Sequence, residues 1–435
     1  MKMSTLDLPR FGAGIGLART SAIARRLGLD LAAIGRRAMV ITGSNGKGSV
    51  SRMLASLFTA AGERTGLFTS PHLHAFNERF VLRGEMIDDG SLTVLEARVG
   101  EAIEAHIHQQ GWDQPGAFEA GFLTALLWFQ EAGAERLVIE AGIGGRYDPT
   151  RLLMAPHAAL VSLDFEHMPL LGSSLREVAL DKLDIAPPGG RIILGRSLAS
   201  ERPAIETVAG LKQVALGWVA DQYRPSRSSD ALSGHVVRLD HAVRGPLDLT
   251  MAMHGRFQLD NLEVALEAFA DARPDLFPGA WPDLIAPALA GCSNPARMEY
   301  LPGEPGLLVD AGHTPAGIAA AVAGVETLLN RRKAVLLLGM SADKPVAAML
   351  DVLAPAFERV IVSTLPGGVP AADLAAAYKA RNATAHVLIA NKASAAVALA
   401  LAMPERREVV ALGGLFWAAA VREAWLGATP APCAE

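Results

Sequence analysis

The chain has 435 residues, 51% of them hydrophobic and 20% charged, with 40 basic and 45 acidic side chains and a formal net charge of −5. At roughly 100–200 residues per domain this predicts two or three domains with full cores, and it excludes a disordered tail or a disulfide-stapled mini-protein. The slight acidic excess speaks against a broad nucleic-acid footprint, and no uncharged apolar run reaches the length of about 18 residues that a membrane span needs.

The start, MKMSTLDLPRFGAG, lacks the apolar core of a signal peptide. Cys292 and Cys433 are the two cysteines; they cannot form an all-thiolate zinc site, and they fit a reducing cytoplasm. In chain order, strands are predicted at Ala38–Gly43, Arg64–Ser70, Leu137–Gly142, Ala158–Leu163 and Arg191–Arg196. Their continuous apolar character suits a mainly parallel sheet buried on both faces. A helix is expected over Ser49–Ala61, and Gly121–Phe129 reads as core helix. From about Val214 to Met251 the texture changes: His235–Asp240 and Leu247–Met251 alternate, as in a small antiparallel element. The run GCSNP, 291–295, is a hinge candidate. Beyond it a second α/β series begins, with strands at Gly306–Ala311, Ala334–Met340, Val360–Thr364, Ala385–Ala390 and Val409–Gly414, each followed by an Ala-rich helical stretch. The fold class is therefore α/β. The expected division is 1–291, a P-loop domain with a mainly parallel sheet, and 296–435, a Rossmann-like domain.

The strongest local signal is AMVITGSNGKGSV, Ala38–Val50. A strand runs through Gly43, Ser44, Asn45, Gly46, Lys47, Gly48 and Ser49 into a helix. Glycines let backbone N–H groups turn around an anion, and the helix start adds partial positive charge. Lys47 can reach outer phosphates and the Ser49 hydroxyl can ligate Mg²⁺. The match to the general Walker pattern is incomplete, because the hydroxyl follows Lys47 by two positions. A plain glycine-rich turn is the competing reading.

Further segments follow in order: TGLFTSPHLHAFNERF, VIEAGIGGRYDPT, SLDFEHMPLLG, LREVALDKLDI, HGRFQLDN, NPARMEYL, LLVDAGHTP and GMSADKP. Together they resemble the folylpolyglutamate synthase/dihydrofolate synthase family, a branch of the Mur ligases, over nearly the whole length. The resemblance implies a cytoplasmic, monomeric ligase. ATP activates a pterin- or folate-like carboxylate as an acyl phosphate, and the amine of an amino acid, L-glutamate, then attacks. Such chemistry needs charge neutralisation and positioning more than a protein nucleophile. The resemblance assigns Lys47 to the outer phosphates, and Ser49, Glu140 and His167 to Mg²⁺. Ser70 would lie near the metal and the acyl acceptor, with a strand-ending Ser-Pro turn as its alternative. Lys182 would be a carbamylated metal ligand, or else an ordinary surface lysine. Gln258 and Asn261 match an adenine-binding helix start, and Arg297 an arginine on phosphate or ribose. Asp310 and His313 match the nucleotide and amino-acid side of the cleft, and Asp343 and Lys344 a loop of the second domain. His72 is retained as a neighbour of the reactive centre.

The sequence departs from the family pattern at Pro149 and Arg151, at Met168 and Pro169, at Leu183 and Asp184, at Ala296 and at Thr314. Arg151 would bind an acidic substrate group or pair with a neighbouring acid. Two other readings stand beside the folate ligase: a related ligase for a non-folate carboxylate, and a nucleotide-binding protein without ligase activity.

Overall fold

The computed structural model describes residues 8–9, 11–111, 113–164, 172, 174–224, 227–276, 281–329, 334–404 and 407–428. They group into two compact units. The first comprises the chain up to Arg227, with Arg238–Leu249 and Leu259–Cys292; the second comprises Ser228–Val237, Thr250–Gln258 and the chain from Ser293. The tip of the antiparallel element, 228–237 with 250–258, thus groups with the second unit rather than with its own sequence neighbours.

The first unit is built on eight strands: β1 (Ala38–Thr42), β2 (Thr65–Phe68), β3 (Phe80–Leu82), β4 (Glu85–Met86), β5 (Arg136–Glu140), β6 (His157–Leu160), β7 (Arg191–Leu194) and β8 (Ala215–Trp218). Their order is β4-β3-β2-β5-β1-β6-β7-β8. All neighbours are parallel except β2–β3 and β3–β4. Every residue of β1 is buried, as expected of a central strand covered on both faces. Its register sets Ile41 beside Glu140 and Thr42 beside Leu160. The C-terminal ends of β5, β1 and β6 therefore stand side by side, where ligands of parallel sheets bind. The stretch Gly121–Phe129 lies inside a buried helix, Ala117–Glu131.

Strands β9 (Arg227–Ala231), β10 (Gly234–His241) and β11 (Gly245–Met251) form a separate sheet in the order β11-β10-β9. Residues 215–218 do not belong to it, although the change of texture begins there; they form the parallel edge strand β8. The second unit carries β12 (Glu299–Leu301), β13 (Leu307–Val309), β14 (Val335–Leu338), β15 (Arg359–Ser363), β16 (His386–Ala390) and β17 (Val409–Leu412), in the order β12-β13-β17-β14-β15-β16. Only β12 runs antiparallel to its neighbour. No helix among the described residues is long and apolar enough to cross a membrane.

Candidate active site

Strand β1 ends at Thr42, and the chain turns through Gly43 (φ +147°) and Gly46 (φ +84°) into the helix Lys47–Ala60. Gly46 is the N-cap and no side chain caps the helix. A helix start of this kind carries partial positive charge, which suits phosphate. The turn is held from the side by β6's extension. The Ser44 N–H donates to the Ser162 carbonyl at 3.0 Å, the Asn45 N–H to Ser162 Oγ at 2.8 Å, and the Asp164 N–H to Ser44 Oγ at 3.0 Å. Lys47 Nζ donates to the Gly43 carbonyl at 2.8 Å, which folds the ammonium over the turn. A Cβ on Gly46 would overlap Asn261 Oδ1. Asn261, placed by sequence in the base-binding group, is therefore packed directly against the glycine turn.

Glu140 closes β5 and is 4% exposed. Its Oε2 accepts the Ser70 N–H at 3.0 Å, which brings the two sequence-predicted metal-side residues into contact. Ser70 opens a loop ordered by Glu78, whose carboxylate accepts the N–H groups of Leu73, His74 and Ala75 at 2.7, 2.8 and 2.9 Å. Arg79 Nε donates to His72 Nδ1 at 3.0 Å. Burial first, then Arg79, holds the His72 imidazole below its ordinary value. Neither Glu78 nor Arg79 was singled out by the sequence reading. The Glu-Arg pair inside NERF is the signal that could have marked them.

The loop after β5 turns on Asp148. Its Oδ2 accepts Gly142 and Ile143 N–H groups at 2.8 and 3.0 Å, and Oδ1 accepts the Thr150 N–H and Oγ1–H at 3.0 and 2.6 Å. Burial pushes this carboxyl up while the four donors favour its charged form. Arg151 donates to the Arg146 carbonyl at 3.0 Å, within its own loop. Lys182 is 1% exposed. The surface-lysine alternative is overturned: its helix, Leu175–Leu183, packs so closely on Gly145 that a Cβ there would meet the Lys182 carbonyl at 2.7 Å. His167 lies outside the described residues, as do Met168 and Pro169. No cluster of three metal-ligating side chains forms among those described.

In the second unit, Asp310 (5% exposed) follows β13, and burial raises its carboxyl while Arg297 opposes the rise. His313 is exposed at the start of the helix Pro315–Leu328, with Nδ1 3.3 Å from the Ala311 carbonyl. Thr314 caps this helix by accepting the Gly317 N–H at 3.0 Å, so the departure from asparagine keeps a capping side chain. Gln258 is fully buried. Asp343 and Lys344 pair with each other at 3.0 Å.

Folylpolyglutamate synthase of Lacticaseibacillus casei is 31% identical over 397 residues, covering 89% of each chain. The chain belongs to the folylpolyglutamate synthase/dihydrofolate synthase family. A dihydrofolate synthase/folylpolyglutamate synthase of Mycobacterium tuberculosis is 30% identical over 341 residues, 74% of this chain and 69% of its own. The model of the Mur ligase glutamate ligase domain matches residues 296–415. The structure of Mycobacterium tuberculosis folylpolyglutamate synthase complexed with ADP and AMPPCP superposes with a TM-score of 0.85 at 27% identity, over 94% of this chain and 95% of that one. As a family member the protein is an ATP-dependent ligase that forms carbon–nitrogen bonds. The residues present fit the nucleotide and its metal. The uncapped helix start and Lys47 suit phosphate, and the Ser49 hydroxyl and Glu140 carboxylate are hard oxygen donors of the kind Mg²⁺ takes.

Proposed function

We propose that this enzyme joins L-glutamate to dihydropteroate or a folate, acting as a cytoplasmic monomer with residues 1–291 and 296–435 as its two ligase domains. The observation that carries the reading is the contact of Glu140 with the Ser70 N–H at 3.0 Å, on the strand ends one and two places from β1, whose glycine turn leads into a helix with no side-chain cap. The residues read as phosphate-, metal- and acyl-acceptor-side groups follow neighbouring strands, which supports the reading, and the names of the relatives supply the folate substrate.

The reaction balances without a protein nucleophile. A substrate carboxylate oxygen attacks the γ-phosphorus and ADP leaves. The glutamate amine then attacks the acyl carbon, phosphate departs with the C–O electron pair, and the nitrogen loses a proton. Bound Mg²⁺ would neutralise the charge of the transferred phosphoryl group. Lys47 and the turn's N–H groups would hold the outer phosphates in line. Ser49, Ser70, Glu140 and His167 are read as the metal-side residues. Lys182, if carbamylated, would add an anion to that set, because a buried amine that takes up CO₂ inverts its charge. Gln258, Asn261, Arg297, Asp310 and His313 are read as the nucleotide and amino-acid side.

The test is an ADP-release screen with mass detection of the amide. Dihydropteroate or folate with glutamate is expected to yield product, and Lys47→Ala is expected to lower kcat/KM by about 10²–10³-fold with an unchanged circular dichroism spectrum. Turnover confined to other carboxylates would replace the substrate assignment. Undiminished turnover by Lys47→Ala would remove the phosphate role.

A further inference from the structure

Arg297 sits between two non-glycine residues in the left-handed region, Ala296 (φ +54°) and Met298 (φ +49°). Both flanking side chains are fully buried. Met298 packs in the core of the second unit, where it stands against Gly324 of the helix Pro315–Leu328. Left-handed backbone is unfavourable for residues with a Cβ, so this conformation persists only where its surroundings over-determine it.

Two carboxylates do so, one on each side of the arginine. Glu299 Oε2 accepts the Ala296 N–H at 2.8 Å. Asp310 Oδ2 accepts the Met298 N–H at 2.9 Å, while its Oδ1 takes the Gly312 N–H at 2.7 Å. The Ala311 N–H closes the turn by donating to the Ala296 carbonyl at 2.9 Å. Glu299 is itself held by Arg422, from the helix Leu415–Ala428: Nε donates to Oε2 at 2.8 Å, and the second amino group to Oε1 at 2.9 Å. A bidentate guanidinium–carboxylate pair fixes both position and plane.

We infer that Glu299 and Arg422 are positioning residues that hold the Arg297 turn in its strained, left-handed form and so aim Arg297 at the nucleotide. This rests on the reading of Arg297 as a nucleotide contact, which none of these hydrogen bonds requires. The pair would act before chemistry, by making a competent Arg297 pre-organised rather than one of several loop conformers.

The test measures binding of AMPPCP with Mg²⁺ to the full chain by calorimetry. Arg297→Met is the control for the underlying reading. Arg422→Met and Glu299→Gln are each expected to weaken binding about tenfold, approaching Arg297→Met. Ala296→Gly, which removes the Cβ penalty, is expected to change binding little alone and to restore most of the loss in the Arg422→Met background. A merely structural role for the pair would not be relieved by that glycine. Wild-type binding by Arg422→Met and Glu299→Gln beside a weakened Arg297→Met overturns the positioning role alone. A loss that Ala296→Gly leaves untouched overturns it as well. Wild-type binding by Arg297→Met removes the nucleotide contact and, with it, the purpose of the clamp.

Discussion

Glu78 gathers three backbone N–H groups and so shapes the 71–79 loop that begins at Ser70. Burial is the largest influence on its carboxyl and opposes ionisation, but the donors at Ala75, Leu73 and His74 together outweigh it and hold the group below its ordinary value of 4.5. A depressed carboxyl contributes stability that is present above the unfolded value and lost as pH falls through the folded one. Amide-exchange protection at Leu73, His74 and Ala75 is therefore expected to fall below pH 4.5. In Glu78→Gln it should already be about tenfold lower at neutral pH, with the acid dependence gone. Protection unchanged in that variant would show that the loop is ordered by other contacts. Single side chains also show how far a family pattern carries. Thr314 replaces asparagine yet still caps its helix. Ala296 replaces glycine and retains the left-handed backbone that glycine would adopt without strain. Lys182 could be read from its neighbours as exposed or as functional; its 1% exposure removes the first reading, and nothing in the local sequence carried that information.

The strand–turn–helix of Ala38–Ala60 was legible because its determinants are local: an unbroken apolar strand, glycines where φ is positive, and a helix start without a side-chain cap. Gly46→Ala tests that element. The added Cβ brings a left-handed penalty of about 1–2 kcal/mol and overlaps Asn261 Oδ1. The variant is expected to melt roughly 2–8 °C lower and to bind AMPPCP more weakly, because Asn261 must move. Wild-type melting and binding would mean that the turn adapts without cost. Most of the parallel strands were found within two or three residues, since burial on both faces leaves an uninterrupted apolar run; the edge strand β8 was missed, because its first residues are exposed and show no such run. Strands β3, β4 and β12 have two or three residues, too few to show a period. Strand β9, RSSDA, is mostly exposed and polar, and its pairing with β10 alone identifies it.

For the molecule entire, nucleotide binding and folding are linked. A ligand that binds only the folded chain stabilises it by about 2.7 kcal/mol at one hundred times its Kd. AMPPCP with Mg²⁺ is expected to raise the melting temperature, EDTA to diminish that rise, and EDTA to abolish ADP release in turnover assays. A melting temperature indifferent to AMPPCP would speak against the phosphate turn as its site. The chain passes into the second unit at Cys292–Ser293, within the GCSNP run. Assignment of 228–237 and 250–258 to that unit leaves no mark in the sequence, because it depends on contacts rather than composition. Charge, apolar runs and the glycine turn were enough to specify an α/β chain with a strand–glycine turn–helix element, since those features act over a few neighbouring residues. Folding was needed to join Ser70 to Glu140 across 70 positions and Arg422 to Glu299 across 123. Such pairs gain nothing until both strands and helices are packed, and a linear pattern therefore carries no trace of them.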